Sequence, residues 1–82
     1  MKAREVTVYS TPFCAPCESL KRYLVEHAVA FRVRDLMIDE EAQERLEAAG
    51  IRSTPALEVD GALYAAEQLE PQRLEEILGL AA

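Results

Sequence analysis

The feature that most constrains the fold is a pair of cysteines placed where a strand pattern changes into a helix pattern. Cys14 and Cys17 are the only cysteines of the chain, and Ala15 and Pro16 separate them. A short apolar run ends just before the pair, and an amphipathic helical pattern begins directly after it. Because two thiols at this spacing can bond to each other, the pair indicates a redox site at a strand-to-helix junction.

The position of the pair also predicts a role for each thiol. A helix N-terminus presents unpaired N–H groups and a partial positive charge, and both favour a thiolate over a thiol. Pro16 suits the first helical turn, where its missing N–H costs nothing. We therefore expect Cys14 to be the nucleophile and Cys17 the resolving thiol. No Lys or Arg lies between Ser10 and Leu20, so the helix terminus and backbone hydrogen bonds predict only a modest depression of the nucleophile's pKa.

Length and charge limit the class of protein. The 82 residues predict a single domain spanning residues 1–82, and nine basic against fifteen acidic side chains give a net charge of −6. A basic face for nucleic acid or an anionic membrane is not expected from this balance. The sequence has no long apolar run and no signal-peptide pattern, which predicts a cytoplasmic protein. In that compartment a disulfide tends to be catalytic or sensing.

Other interpretations of the cysteine pair are weaker. As a structural brace it would close a very short loop, which constrains the unfolded chain by only about 2 kcal/mol. A zinc site needs four ligands, and His27 is the one further ligand of the usual kind. A cluster shared between two chains is a third alternative.

Hydrophobic patterning predicts three helices between and after four strands. The expected strands cover residues 5–10, 30–35, 56–59 and 62–65, and the last two flank Asp60-Gly61, a strong hairpin signal. The first helix should run from residue 15 to about residue 27. Asp39 should cap the second helix and Gly50 end it, while Pro71 should begin the third. The expected buried helical positions are Leu20, Tyr23, Leu24, Ala28, Ala42, Leu46, Ala49, Leu74, Ile77 and Leu78.

The resulting order, β-α-β-α-β-β-α, is an α/β sandwich with a four-stranded mixed sheet. With the Cys-Ala-Pro-Cys motif after the first strand and Ser53-Thr54-Pro55 before the third, the chain resembles a glutaredoxin, the minimal form of the thioredoxin fold. The resemblance covers nearly the whole chain. It implies a sheet of order 2-1-3-4 and a cis Thr54-Pro55 bond beside the cysteines. It also implies that the backbone of Thr54 pairs with the segment that flanks a substrate cysteine.

The sequence departs from glutathione-using glutaredoxins at two places. Thr11 stands where those proteins usually carry a lysine, and residues 64–68 replace their Gly-Gly pair and following aspartate. Glutathione has carboxylates at both ends, so these changes weaken its site. A similar subgroup lacks the same determinants, donates electrons to ribonucleotide reductase and is recharged by thioredoxin reductase. Its members often carry a Trp-Ser-Gly-Phe-like stretch near residues 64–67, whereas this chain has no tryptophan.

The function expected from the resemblance is reduction of disulfides in proteins or small thiols, without a bound cofactor or metal. Thioredoxin reductase or glutathione would recharge the protein, which should be a monomer. The rivals are a glutathione-dependent glutaredoxin and, from another class, an iron–sulfur or metal carrier or a docking module. Tyr9 fits either the core or the site. The expected site residues are Cys14 and Cys17 for catalysis, and Pro12, Phe13, Thr54, Pro55 and Glu67 for substrate binding.

Overall fold

The computed structural model describes residues 4–80, which contain four strands and three α-helices. A 3₁₀ turn, Ala66–Gln68, precedes the last helix. The strands are β1 (Val6–Ser10), β2 (Arg32–Asp35), β3 (Ala56–Val59) and β4 (Ala62–Tyr64). The helices are α1 (Ala15–Glu26), α2 (Glu40–Ala48) and α3 (Pro71–Leu78).

The sheet has the order β2-β1-β3-β4, as the resemblance implies. β1 is parallel to β2 and antiparallel to β3, and β3 forms an antiparallel hairpin with β4. Val8 of β1 pairs with Val33 on one side and with Leu57 on the other. The central strand β1 therefore carries the chain directly from the middle of the sheet into the cysteine motif.

Each face of the sheet packs on different helices because successive side chains of a strand point to opposite faces. One cluster joins the sheet to α1 and α3, and the other joins it to α2. The buried members of the first are Val6, Val8, Leu20, Leu24, Leu57, Val59, Leu74 and Leu78. Those of the second are Tyr9, Ala42, Leu46 and Ala56.

The predicted N-cap and C-terminal glycine of α2 and the predicted first residue of α3 are confirmed. The Asp39 side chain accepts a hydrogen bond from the Ala42 N–H and so caps α2. Gly50 follows the helix with φ of 74°, a left-handed conformation that glycine adopts without strain. Pro71 is the first residue of α3. No helix within residues 4–80 is long and apolar enough to span a bilayer.

Two predicted core positions are wrong. Ala28 and Ala49 are both exposed, because each lies past the last turn of its helix. At the end of α1 the Val29 N–H donates to the Leu24 carbonyl, and Ala28 adopts φ of 57°. This turn directs the chain away from the helix axis, so the apolar stripe stops at Leu24.

Four boundaries also differ from those expected. β1 begins at Val6, one residue later than expected. α1 ends at Glu26, and β2 begins only at Arg32 because the turn after α1 takes up the intervening residues. β4 ends at Tyr64, and Ala65 instead precedes the 3₁₀ turn. The sequence did not predict that turn, whose closing hydrogen bond runs from the Gln68 N–H to the Ala65 carbonyl.

Candidate functional site

The two cysteines form a disulfide at the N-terminus of α1, with their Cα atoms 5.2 Å apart. Cys14 is the N-cap residue and is partly exposed, whereas Cys17 lies in the first turn and is fully buried. A dissolved disulfide or thiol can therefore approach only the sulfur of Cys14 directly. This difference in access agrees with the roles that the sequence predicts for the two thiols.

The sulfur of Cys14 accepts a hydrogen bond from the helix that it caps. The Cys17 N–H donates to Cys14 Sγ across 3.2 Å, which places one unpaired donor of the helix terminus on the sulfur. The twelve residues of α1 add their aligned peptide dipoles at the same point. Both interactions favour negative charge on Cys14 after reduction.

A second segment meets the cysteines from the connector before β3. The Thr54–Pro55 peptide bond is cis, as the resemblance implies, and Pro55 is buried. The hydroxyl of Thr54 donates a hydrogen bond to Cys14 Sγ across 3.6 Å. The structure thus brings together the two motifs that lie 40 residues apart in the chain.

Pro12 and Phe13 form the exposed rim of the site. Phe13 is fully exposed, with an accessibility of 107%, and its backbone has φ of 59°. An aromatic residue rarely adopts this left-handed conformation, and such outliers concentrate at functional sites. The structure therefore presents an apolar ring to solvent beside the accessible sulfur.

A groove of about 680 Å³ opens beside the disulfide. Its walls come from α1, from the Thr54–Pro55 connector and from the segment that begins α3, and the lining is mainly apolar. Tyr23, Ala66 and Leu69 are among its lining residues. Of the expected substrate-binding residues, Thr54 and Pro55 line the groove, whereas Pro12, Phe13 and Glu67 are exposed outside its lining.

Tyr9, which could have belonged to either the core or the site, belongs to the core. Its side chain is fully buried among the residues under α2, and its hydroxyl donates to the Glu58 carboxylate. Burial raises the pKa of Tyr9, and the neighbouring Glu58 carboxylate raises it further. The Arg34 guanidinium lies 5.8 Å from the centre of the Tyr9 ring and binds Asp39. These groups lie on the face of the sheet that packs against α2, and they do not line the groove.

His27 and Tyr23 form a stacked pair at the far end of α1, with ring centroids 4.0 Å apart. The His27 ring also contacts the Tyr23 carbonyl through Nδ1 at 2.8 Å. Burial, followed by the charge of Glu75, raises the pKa of Tyr23. The Tyr23 hydroxyl has no hydrogen-bond partner among the described residues.

Sequence reasoning missed one feature of the site. The hydroxyls of Thr11 and Thr54 lie 3.1 Å apart, so Thr11 contacts the residue that contacts Cys14. In the sequence, Thr11 is notable only because it stands where glutathione-using glutaredoxins carry a lysine. The single signal that could have revealed the contact is strand register, because Thr11 and Thr54 lie just beyond the paired ends of β1 and β3.

Comparison with known families gives a match over most of the chain. The glutaredoxin family model matches residues 6–64. Among curated proteins, the glutaredoxin-like protein NrdH of Lactococcus lactis subsp. cremoris, strain MG1363, is 32% identical over 74 residues. The aligned part covers 88% of this chain and 97% of that relative.

Solved structures show the same architecture. A mutant of the thioredoxin-like protein BC3987 superposes with a TM-score of 0.82 and 30% identity, covering 99% of this chain and 100% of the other. The glutaredoxin-like protein NrdH-redoxin from Escherichia coli superposes with a TM-score of 0.70 and 23% identity. That match covers 82% of this chain and 96% of the other, and it shows the likeness of fold.

Proposed function

This chain belongs to the glutaredoxin family and is a glutaredoxin-like thiol-disulfide oxidoreductase, and we propose that it reduces protein or small-molecule disulfides through Cys14 and Cys17. The observation that carries this proposal is the unequal exposure of the two sulfurs at the start of α1. Only one of them is open to a substrate, and the other is held behind it at bonding distance.

The reaction follows from that arrangement. In the reduced protein the Cys14 thiolate attacks one sulfur of the substrate disulfide, and the second substrate sulfur leaves as a thiolate that takes up a proton. Cys17 then loses its proton and attacks Cys14 Sγ, which releases the first substrate sulfur as a thiol. Two electrons have passed to the substrate, and the Cys14–Cys17 disulfide is the oxidised product.

Substrate binding is assigned to the surface around Cys14. The backbone of Thr54 pairs with the extended segment that flanks the substrate cysteine, and Pro55 fixes the direction of that backbone. Pro12 and Phe13 supply apolar contact on the exposed rim. Glu67, which follows the Ala66 wall of the groove, contacts only partners that extend beyond the groove.

In this proposal thioredoxin reductase donates electrons to the protein, and a ribonucleotide reductase accepts them from it. Support comes from Thr11 and from residues 64–68, which lack the lysine, the glycine pair and the aspartate that receive glutathione. Relatives at 30–32% identity are named glutaredoxin-like and thioredoxin-like. We propose that the protein is a cytoplasmic monomer. In the cytoplasm a dithiol is kept reduced between turnovers.

The test is reduction of insulin by dithiothreitol in the presence of the parent, Cys14→Ser and Cys17→Ser. We expect the first variant to be inactive, because the attacking sulfur is gone. The second should make the first attack and accumulate mixed disulfides, detectable as a mass increase that a reductant removes. Turnover by Cys17→Ser as fast as by the parent contradicts the dithiol mechanism. A coloured or metal-loaded dimer on purification favours the carrier alternative.

A further inference from the structure

We propose that Thr11 and Thr54 form a hydroxyl relay that positions and stabilises the Cys14 thiolate. The inference rests on the proposed role of Cys14 as the attacking thiol and assigns its stabilisation to two positioning residues. Thr54 Oγ1 lies 3.6 Å from Cys14 Sγ, and Thr11 Oγ1 lies 3.1 Å from Thr54 Oγ1. The three atoms form a chain that starts on the strand side of the motif and ends on the sulfur.

The direction of the relay follows from counting protons. A threonine hydroxyl has one proton to donate, and a disulfide sulfur or a thiolate can only accept. Thr54 therefore donates its proton to Cys14 Sγ, and its oxygen is left to accept the proton of Thr11. Hydrogen bonds in such a chain polarise one another, so the Thr11 hydroxyl strengthens the bond that Thr54 makes.

The sheet fixes the two hydroxyls in place. Tyr9 and Ala56 are paired in the antiparallel ladder between β1 and β3, and Thr11 and Thr54 lie two positions further along the same register. Both threonines are partly buried, which limits the access of competing water. The relay is thus a cross-strand pair of side chains that continues beyond the last pair of the ladder.

The site has a reason to depend on neutral donors. No Lys or Arg lies between Ser10 and Leu20 in the sequence. The charged residues of α1 are Glu18 and Lys21, which pair at 2.7 Å, and the exposed Arg22 and Glu26 further along the helix. The connector adds the exposed Arg52. The donors observed on the sulfur are the Cys17 N–H and the Thr54 hydroxyl. Removing a hydroxyl should therefore change the thiolate population measurably.

The experiment measures the rate of alkylation of Cys14 by iodoacetamide between pH 5 and 10. It uses the Cys17→Ser background, so that a single thiol reacts. Thr54→Val should move the midpoint of the pH profile upward and slow the reaction at pH 7 by about threefold, the effect of one lost hydrogen bond of ordinary strength. Thr11→Val should act in the same direction but less. Thr11→Ser and Thr54→Ser keep the hydroxyls and should restore the parent profile.

The double variant decides whether the two hydroxyls act in series or independently. Because Thr11 acts through Thr54, Thr11→Val combined with Thr54→Val should be no slower than Thr54→Val alone. Fully additive effects would mean two independent contacts and would overturn the relay. Thr7→Val is the matched control, since it removes a hydroxyl from β1 on a strand position away from the motif. If Thr54→Val keeps the same pH profile as this control, the relay is wrong.

Failure of the relay and failure of the proposed function give different results. Circular dichroism spectra first establish that each variant is folded. If Cys14→Ser abolishes insulin reduction while the threonine variants keep the parent pH profile, only the relay fails. If Cys14→Ser in the otherwise unchanged protein still reduces insulin, the assignment of the nucleophile itself fails.

Discussion

Arg45 binds the Glu58 carboxylate through two hydrogen bonds, 3.1 Å from its Nε and 2.9 Å from its Nη2. The pair ties α2 to β3, which lies next to the strand that carries the cysteine motif. The Tyr9 hydroxyl donates to the same carboxylate from β1. One carboxylate thus joins three elements on the face of the sheet that packs against α2.

Glu58→Gln should destabilise the protein at neutral pH and much less in acid. Burial raises the pKa of Glu58, but the hydrogen bonds from Tyr9 and Arg45 outweigh it and hold the pKa below the ordinary value of 4.5. A lowered pKa in the folded state contributes stability above the ordinary value, and this contribution is lost as the pH falls through the folded value. We expect a loss of about 2 kcal/mol at pH 7 that shrinks below about pH 4.5.

Urea denaturation at pH 7 and at pH 3.5 measures this difference. Glu44→Gln is the control, since it makes the same change at an exposed position of α2. The control should match the parent at both pH values. An equal loss of stability in Glu58→Gln at both pH values contradicts the assigned role of the charged carboxylate.

Asp39 has two functions at the start of α2, and two substitutions separate them. It caps the helix through the Ala42 N–H and accepts two hydrogen bonds from Arg34, at 2.8 and 3.0 Å. The hydrogen bond from Arg34, followed by that from Ala42, holds the pKa of Asp39 below 3.8. Asp39→Asn keeps a capping oxygen but loses the charge, whereas Asp39→Ala loses both.

The melting temperature should therefore fall in the order parent, Asp39→Asn, Asp39→Ala. For the alanine variant we expect a decrease of roughly 5 °C at pH 7. Because the pKa in the folded state is lowered, the gap between the parent and Asp39→Asn should close as the pH falls below about 3.8. Thermal melts by circular dichroism, with Glu40→Gln as the control in the same helical turn, measure the order. Equal melting temperatures for the alanine and asparagine variants would exclude a capping role.

Local signals in the sequence predicted the elements that depend on neighbouring residues. Asp60-Gly61 placed the hairpin, and both Asp60 and Gly61 adopt positive φ values of 51° and 92°. β3 has the predicted bounds because this turn and Pro55 delimit it. Asp39 likewise capped α2 as expected. In each case, the residue that decides the structure lies within a few positions of the element.

The features that the sequence did not predict depend on contacts between distant segments or on the path of a turn. Ala28 has helical spacing from Leu24, yet the chain leaves the helix before reaching it. The contact between Thr11 and Thr54 depends on the register of β1 against β3, which hydrophobic alternation does not determine to one residue. The site was therefore predictable in its cysteines and its cis proline, but not in its hydroxyls.

Phe13→Ala should weaken binding of protein substrates and leave the chemistry nearly unchanged. The ring is fully exposed beside Cys14, where it can contact a partner but supports no core. We expect KM for a protein disulfide to rise by about fivefold, with kcat close to that of the parent, because an aromatic anchor contributes about 1 kcal/mol or more. Reduction of hydroxyethyl disulfide, which is too small to reach the ring, should not change.

Val25→Ala is the matched control for that experiment. Val25 is 66% exposed on α1, in the helix's last turn, and removing it deletes apolar surface far along the helix from Cys14. It should leave both kinetic constants unchanged. A fall in kcat for both substrates with Phe13→Ala would mean that the ring, or the backbone that holds it, positions the cysteines instead of the partner.

The final prediction concerns the source of electrons. Oxidised protein is supplied with NADPH in two arms, one with thioredoxin reductase and the other with glutathione and glutathione reductase. We expect NADPH consumption in the first arm to exceed that in the second by about tenfold or more. The reason is that Thr11 replaces the lysine of glutathione-using glutaredoxins, and residues 64–68 lack their glycine pair and aspartate. Faster turnover with glutathione would show that Tyr64 and the 3₁₀ turn accommodate the tripeptide by other contacts. Silence in both arms, with insulin reduction by dithiothreitol intact, would indicate a different dedicated reductase.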